Sequence, residues 1–254
     1  MENISSRKNS IICHLKKLTA DSAYSAEQGE YVLDGEKLLR EALASGAELC
    51  CVLWGGERTV TIPEGVAEYC CPSDVMQSVS PLKSSKGPVF SLKIPTPPED
   101  DTPIRSAIVL ENLQDPGNVG TVIRTANAMG TEAVILVGDC ARLYSPKTAR
   151  ATMGAVFRQR VICTDLDGLK AFLSKHRLFL YGAALSDSAS DIRDTDLKGA
   201  AVAIGSEGRG LSKELLDLCD GLLIIPMEPQ SESLNAAVAA GIAMWELRKA
   251  MEER

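Results

Sequence analysis

The chain has 254 residues, enough for one large or two modest domains, and its 45% apolar and 24% charged residues are ordinary for a globular protein. No apolar run approaches the roughly 18–20 residues that cross a bilayer, and the first twenty residues lack a signal peptide's apolar core, so we expect a cytoplasmic protein. The net charge of −7 argues against nonspecific nucleic-acid binding by the whole chain.

The first third of the chain predicts a small α/β domain. Helical and strand-like patterns alternate, from a basic helix to a loop that enters an edge strand within residues 80–94. Ser73 is suited to cap a short helix. The other predicted elements are a helix at 6–19, a strand at 31–33, a helix at 35–44, strands at 48–54 and 68–71, and a helix from 73 to 79.

Residues 94–103 predict a linker. They read IPTPPEDDTP, with four prolines and three acidic residues. Proline holds itself and its predecessor in extended conformations, and nothing in this segment could build a core. We therefore divide the chain into an N-terminal domain over 1–93 and a C-terminal domain over 104–254.

In the C-terminal domain, apolar strands alternate with helices. This alternation predicts a mainly parallel sheet that is covered on both faces, in which ligands bind beyond the carboxyl ends of the strands. Strands are predicted at 107–111, 133–137, 178–182, 200–204 and 222–225, and helices at 119–129, 146–153, 167–175, 213–219 and 234–251.

Metal binding is not predicted. The eight cysteines and two histidines lack the spacing of a zinc site. The pair Cys50 and Cys51 and the pair Cys70 and Cys71 lie in apolar, strand-like runs, where a thiol usually acts as a small core hydrophobe.

The first loop of interest follows the strand at 107–111. Asn118 is suited to cap the next helix, whose apolar residues recur at a spacing that predicts a core-facing stripe. Gly120 and Arg124 then share the opposite face, where glycine leaves the guanidinium room to fold toward the loop. Taken alone, Asn118 and Arg124 are better explained as a helix cap and a surface cation.

The second loop, AIGSEGRGLS at 203–212, follows another apolar strand. Its glycines permit backbone conformations closed to other residues and let a ligand approach the main chain. The spacing fits neither a dinucleotide-binding fingerprint nor a P-loop. Ser212 can cap the next helix. Glu207 is either an exposed loop acid or a held polar contact.

The third loop lies within residues 224–247. A strand ends at Pro226, and Ser231 or Ser233 can cap a helix whose many alanines let another backbone pack close. Ser233 and Asn235 place polar groups at the start of that helix, which fits a site.

Together the three loops resemble the three motifs of SpoU (TrmH-like) methyltransferases. N-x-G-x-x-x-R-T-A at 118–126, G-S-E-G-x-G-L-S at 205–212, and I-P-M at 225–227 with S-L-N at 233–235 follow the family's order and separations. The likeness covers about 104–250, and the N-terminal part resembles, more weakly, the ribosomal-protein L30e-like substrate-binding domain of some members. Pro229 and the sequence at 235–238 depart from the family pattern.

The resemblance implies a SPOUT fold, an α/β, mainly parallel sheet whose C-terminal chain threads a deep trefoil knot. It also implies a homodimer with the site near the subunit interface, and S-adenosyl-L-methionine as the cofactor. Carried over by motif, the cofactor contacts are Gly205, Ile225, Met227 and Leu234.

The implied reaction is methyl transfer to a ribose 2′-hydroxyl of RNA, an in-line displacement in which alignment and desolvation matter most. A guanidinium stays protonated in proteins, so we expect Arg124 to stabilise the developing alkoxide and anchor a phosphate rather than accept the proton. Asn118, Ser233 and Asn235 would orient the ribose and Arg124. Glu207 would hold this network or an RNA group.

Two basic stretches are candidates for RNA contacts, because cations grip phosphates. Residues 1–20 carry four cations against one acid, and residues 140–160 carry five cations and no acid. A solvated basic face would leave the same pattern. We expect RNA to contact Arg7, Lys8, Arg150 and Arg158.

The resemblance favours rRNA as the substrate, because relatives acting on tRNA usually carry short helical extensions instead of an α/β domain. One alternative is an RNA-binding protein that keeps the fold without methylating, against which the polar groups retained in three loops count. Another is methylation of a tRNA base by the other SPOUT branch, which fits the motifs less well.

Overall fold

The computed structural model describes residues 1–80, 85, 87–96, 102–186, 188–228, 230 and 233–252. The chain forms two compact units: unit 1 is Met1–Glu99 with Tyr144–Phe157, and unit 2 is Asp100–Leu143 with Arg158–Arg254. Their boundary falls within the predicted linker, of which residues 97–101 lie outside the described part. The linear division of the chain did not anticipate that residues 144–157 group with unit 1.

Helices and strands alternate through both units. In chain order they are β1 (Glu2–Asn3), α1 (Ser10–Ala20), α2 (Ser22–Gln28), β2 (Glu30–Asp34), α3 (Glu36–Ala44), β3 (Leu49–Trp54), β4 (Ala67–Cys70), α4 (Ser73–Val79), β5 (Val89–Lys93), β6 (Ser106–Glu111), α5 (Pro116–Met129), β7 (Ala133–Val137), α6 (Pro146–Ala151), β8 (Val161–Thr164), α7 (Leu166–His176), β9 (Phe179–Ala183), β10 (Ser190–Asp191), β11 (Ala200–Ile204), α8 (Lys213–Leu216), β12 (Gly221–Ile224) and α9 (Ala236–Glu252).

Unit 1 contains a mixed sheet in the order β1-β4-β3-β5-β2. Strand β5 pairs antiparallel with both β3 and β2, so the prediction of an edge strand here was wrong. Ser91 on this strand is fully buried, with Oγ 3.2 Å from the Cys51 Sγ. Residues 81–84 and 86 of the predicted loop lie outside the described residues.

One face of this sheet packs against α1 and α4. Ile12, Leu15 and Leu18 recur at helical spacing on α1 and join a buried cluster with strand residues and with Val75 of α4. The prediction that Ser73 caps α4 was wrong. Pro72 already holds the cap position in an extended conformation, and no side chain bonds the first turn.

Unit 2 contains a sheet in the order β10-β12-β9-β11-β6-β7-β8, in which neighbouring strands pair parallel. Ala107, Val109 and Ile135 point to one face, where they pack with Leu169 of α7. The alternating residues between them, such as Ile108, point to the other face and are equally buried. The predicted parallel sheet, covered on both faces, is therefore confirmed.

The strand order changes direction beside β6. From β6 the chain continues through β7 to β8 on one side, whereas β11, β9 and β12 lie on the other. In open parallel sheets a crevice forms beyond the carboxyl ends of the strands at such a point, so the loops after β6 and β11 meet there. The trefoil knot stays a prediction. Within the described residues, no helix has both the length and the apolar character needed to span a bilayer.

Candidate active site

The loop after β6 ends in an Asp-Pro pair that starts α5. Asp115 Oδ1 accepts a hydrogen bond from Asn118 N at 2.7 Å, and Pro116 takes the first helical position, where its missing N–H has no helical partner to lose. The prediction that Asn118 caps this helix was therefore wrong. Because Asp115 does so, the Asn118 side chain is free to bond elsewhere.

Three side chains from the three predicted loops form a closed hydrogen-bond network. Asn118 Nδ2 donates to Glu207 Oε1 at 2.5 Å, and Asn235 Nδ2 donates to the same oxygen at 3.0 Å. Asn235 Nδ2 also lies 3.1 Å from Asn118 Oδ1. These residues are 89 and 117 positions from Asn118, so the fold alone brings them together.

Asn235 is oriented by the helix that it starts. Its Oδ1 accepts hydrogen bonds from Ala237 N at 2.9 Å and Val238 N at 3.3 Å, which makes Asn235 the cap of α9. With the amide oxygen turned to the helix, the NH₂ group must face the network. The predicted cap was Ser231 or Ser233; Ser231 lies outside the described residues, and Asn235 takes the position instead of Ser233.

The second loop is closed on itself. Gly210 N donates to Ser206 O at 2.8 Å, and a Cβ added to Gly205 would lie 2.1 Å from the carbonyl carbon of Gly210. Only glycine allows this backbone approach. Ser212 Oγ accepts from Leu215 N at 3.1 Å, so its predicted role as the cap of α8 is confirmed.

An apolar cavity of about 120 Å³ opens at the carboxyl ends of β9 and β12. Of the four predicted cofactor contacts, Gly205 is not among its described lining residues. The residues that line it are Ala183, Ala184, Leu185, Leu223, Ile224, Ile225, Met227, Ser233, Leu234 and Ala239.

Sequence reasoning missed the wall formed by residues 183–185. Leu185 lines the cavity and is 65% exposed, so its apolar side chain is accessible there. A signal was available, because β9 is a predicted strand whose carboxyl end reaches the same edge of the sheet. None of the three motifs covers this segment.

Arg124 stands apart from the network. It is exposed on α5 and forms no hydrogen bond or ion pair with any residue in the described ranges. Six residues separate it from Asn118, so the two side chains point about 120° apart around the helix. Gly120, predicted on the same exposed face, is buried, because a residue without a side chain is covered wherever its neighbours pack.

The four predicted RNA contacts all lie on the surface. The Arg7 guanidinium lies 3.1 Å from Asp74 Oδ2, and both side chains are exposed. Lys8 is exposed before α1, and Arg150 is exposed on α6. These residues belong to unit 1, whereas Arg158 belongs to unit 2.

The eight cysteines are free thiols. Cys51 and Cys71 are buried, as expected of core residues, and burial raises the pKa of the Cys71 thiol to about 11. Cys50 and Cys70 are half-buried. Across the described part of the chain, no three histidine, cysteine, aspartate or glutamate residues are grouped as metal ligands would be.

Comparison with known sequences decides the family. The profile described as the SpoU rRNA Methylase family matches residues 105–245. The chain belongs to this family. The resemblance inferred from the three motifs is thereby confirmed.

Relatives match either nearly all of the chain or about half of it. It is 30% identical, over 98% of its length and 100% of that protein, to the 23S rRNA (guanosine(2553)-2'-O)-methyltransferase RlmP of Bacillus subtilis. It is 34% identical, over 55% of its length and 56% of that protein, to the 23S rRNA (guanosine-2'-O-)-methyltransferase RlmB of Xanthomonas campestris pv. campestris. The crystal structure of an AdoMet-bound rRNA methyltransferase from Sinorhizobium meliloti matches with a TM-score of 0.88 at 26% identity, covering 98% of this chain and 97% of that one. The fold of this SpoU family member is thus the SPOUT fold.

Proposed function

We propose that this SpoU family member transfers a methyl group from S-adenosyl-L-methionine to a ribose 2′-hydroxyl of rRNA. The observation that carries the proposal is the network of Asn118, Glu207 and Asn235 at the sheet edge that also holds the apolar cavity. Family membership supports the reaction. The names of the relatives from Bacillus and Xanthomonas support rRNA rather than tRNA.

The cavity suits the adenine end of the cofactor. Its lining is almost wholly apolar, which fits a flat ring, and the strand ends supply backbone groups for a few hydrogen bonds. Its volume of about 120 Å³ is below that of a typical small-molecule pocket, so it would hold only part of the cofactor. Ile225, Met227 and Leu234 would form its walls, and Gly205 would keep the adjacent loop closed. When bound, S-adenosyl-L-methionine supplies an electrophilic methyl group on a positively charged sulfur.

The network would orient the ribose. Glu207 Oε1 accepts both asparagine amides, whereas Oε2 makes no hydrogen bond to a described residue. Oε2 is therefore available to accept a ribose hydroxyl, and the two asparagines fix its direction. Ser233, exposed and lining the cavity, would contact the substrate from the cofactor side.

Arg124 would complete the site in a homodimer, as Arg124 of the partner subunit. Its separation from the network within one chain supports this assignment. So does α9, on which Val238 and Trp245 are 52% and 58% exposed and lie seven residues apart on one side of the helix. Placed beside the ribose, the guanidinium would stabilise the developing alkoxide, with the proton passing to water or phosphate.

Mixed dimers test the role of the partner subunit. We expect dimers made only of Arg124→Ala subunits, or only of Asn118→Ala subunits, to be inactive. If Arg124 acts across the interface, a mixed dimer keeps one intact site, in which the network of the Arg124→Ala subunit meets the arginine of the Asn118→Ala subunit. Random mixing then recovers about a quarter of the parent activity, because half the dimers are mixed and each has one working site of two. No recovery would place Arg124 in its own subunit's site.

Mass-spectrometric mapping tests the reaction itself. Unmodified rRNA and tRNA are incubated separately with the protein and S-adenosyl-L-methionine, and we expect a new ribose methyl on rRNA. A methyl on a base, on tRNA only, or on neither RNA contradicts the proposal; the last result favours the RNA-binding alternative.

Glu207→Gln should slow the transfer about 100-fold, as expected for lost alignment. Glu214→Gln, at an exposed position on α8, is the matched control.

A further inference from the structure

Glu111 is a buried carboxylate that bonds one residue of the second loop. It ends β6 and is only 3% exposed. Ser212 N donates to Oε2 at 2.7 Å, and Ser212 Oγ donates to Oε1 at 2.5 Å. Both carboxylate oxygens are thus used on a residue 101 positions away.

This contact ties together the bases of two active-site loops. On one side, β6 ends at Glu111 and the chain runs on to Asp115, the cap of α5, and then to Asn118. On the other side, Ser212 ends the loop that carries Glu207. The same two loops are therefore joined at two points. One is the hydrogen bond between Asn118 and Glu207, and the other is the contact between Glu111 and Ser212.

The loop between Glu207 and Ser212 is packed so that a displacement of Ser212 should also displace Glu207. Leu211 is buried in the core of unit 2, and the Gly210 backbone is packed against Gly205. Glu207 itself is exposed, and its side chain is held by hydrogen bonds from the two asparagines. A shift at Ser212 would therefore move Glu207 against its partners.

We propose that Glu111 is a positioning residue that holds Glu207 within reach of Asn118 and Asn235. The inference rests on the proposed methyl transfer. No described residue of 205–212 lines the cavity, so loss of Glu111 should slow the reaction more than it weakens cofactor binding. If Glu111 contributed to stability alone, its loss would lower the melting temperature without slowing the reaction more than it weakens cofactor binding.

Three substitutions separate the two roles. Glu111→Ala removes both acceptors. Glu111→Gln keeps both contacts, because its carbonyl accepts the Ser212 N–H and its NH₂ donates to the hydroxyl. Ser212→Ala removes the hydroxyl, and with it one contact to Glu111 and the cap of α8, but keeps the N–H contact to Glu111.

The matched control is Asp34→Ala in unit 1. Asp34 is also buried, at 8% exposed, and also accepts serine hydroxyls, from Ser80 and from Ser85. It lies in the unit that lacks the network, so it reports what loss of a buried, serine-bonded carboxylate does to stability alone.

The experiment measures cofactor affinity by calorimetry, the single-turnover rate on rRNA at saturating S-adenosyl-L-methionine, the melting temperature, and the side-chain amide NMR signals of Asn118 and Asn235. Glu111→Ala should slow the transfer about 10- to 100-fold and shift both amide signals, while cofactor affinity changes little. Glu111→Gln should recover most of the rate. Asp34→Ala should lower the melting temperature and leave rate and signals unchanged.

Equal rates for Glu111→Ala and Asp34→Ala would overturn the inference. If the parent does not methylate rRNA, the proposed function fails, and the amide signals alone decide the positioning role: shifted signals support it and unchanged signals reject it. If Glu111→Ala does not fold, Ser212→Ala takes its place. It should then lose rate to a smaller degree and shift the amide signals, and a rate equal to that of Asp34→Ala would reject the positioning role.

Discussion

The candidate functional side chains of the two units are arranged in different ways. In unit 2, Asn118, Glu207 and Asn235 bond one another across long stretches of sequence. In unit 1, Arg7 makes one exposed ion pair with Asp74, and Lys8 is a surface cation. A function of the hydrogen-bond network depends on the positions of a few atoms, whereas a function of the exposed cations depends on their summed charge.

This difference has consequences for substitution. Moving one atom of a closed network disturbs every other member, so single changes in unit 2 should have steep effects. Exposed cations act nearly independently and are screened by salt, so changes in unit 1 should be graded and depend on ionic strength. The following predictions test this contrast.

The largest effect is expected from Gly205→Ala. The new Cβ would meet the Gly210 backbone at 2.1 Å, so the loop must open and Glu207 must leave its partners. We expect methyl transfer to fall at least about 100-fold, measured with labelled cofactor. Gly208→Ala is the control, because its Cβ meets no atom within 4 Å. Equal activities for the two variants would show that closure of the loop is unimportant.

A smaller effect is expected from Trp245→Glu on α9. If this exposed ring packs in a homodimer, a charge there should weaken association by about 2 kcal/mol or more, as for a central interface aromatic. Light scattering over a dilution series measures the change. Phe179→Glu, at a ring 57% exposed on β9, should leave the dimer intact. A parent that is monomeric at every concentration would contradict the proposed assembly.

Charge reversal of the surface cations should have a graded effect. Replacing Arg7, Lys8, Arg150 and Arg158 by glutamate should weaken rRNA binding about tenfold or more and flatten its salt dependence by about 0.7 per lost phosphate contact. The control reverses four exposed lysines of unit 2, Lys170, Lys175, Lys198 and Lys213. If both sets change the salt dependence equally, RNA is attracted by total charge and not by the predicted residues.

The sequence predicted the elements with strong apolar patterns. β7 and β11 have the predicted bounds, because each is a short, continuous apolar run buried on both faces. Strand β8 was missed, since its four residues at the sheet edge are half-buried or exposed and carry no clear period. Helix α2 was missed because it buries no residue, so its seven residues show no apolar stripe.

For the candidate site, the sequence predicted the residues but not their arrangement. Asn118, Glu207 and Asn235 were named from separate motifs, and the structure brings them into contact. That contact depends on which residue caps α5, where Asp115 and Asn118 were both chemically suitable. Such competition is decided by backbone geometry, which local sequence does not specify. The roles of these residues stay predictions.

The smallest difference between the two units is expected in the reactivity of their cysteine thiols, because each unit contains a thiol with a raised pKa. Burial raises the pKa of Cys71 in unit 1 and of Cys219 in unit 2 to about 11, whereas Cys13 is exposed. Because the thiolate is the nucleophile and these two pKa values lie well above 8, very few of the two thiols are ionised at pH 8. Iodoacetamide followed by mass spectrometry should label Cys13 first, and labelling of Cys71 and Cys219 should rise as the pH approaches 11. If Cys219 were labelled as fast as Cys13 at pH 8, the amino-terminal end of β12 would be open to solvent, and steep effects in unit 2 could then arise from loosened packing instead of the displaced network.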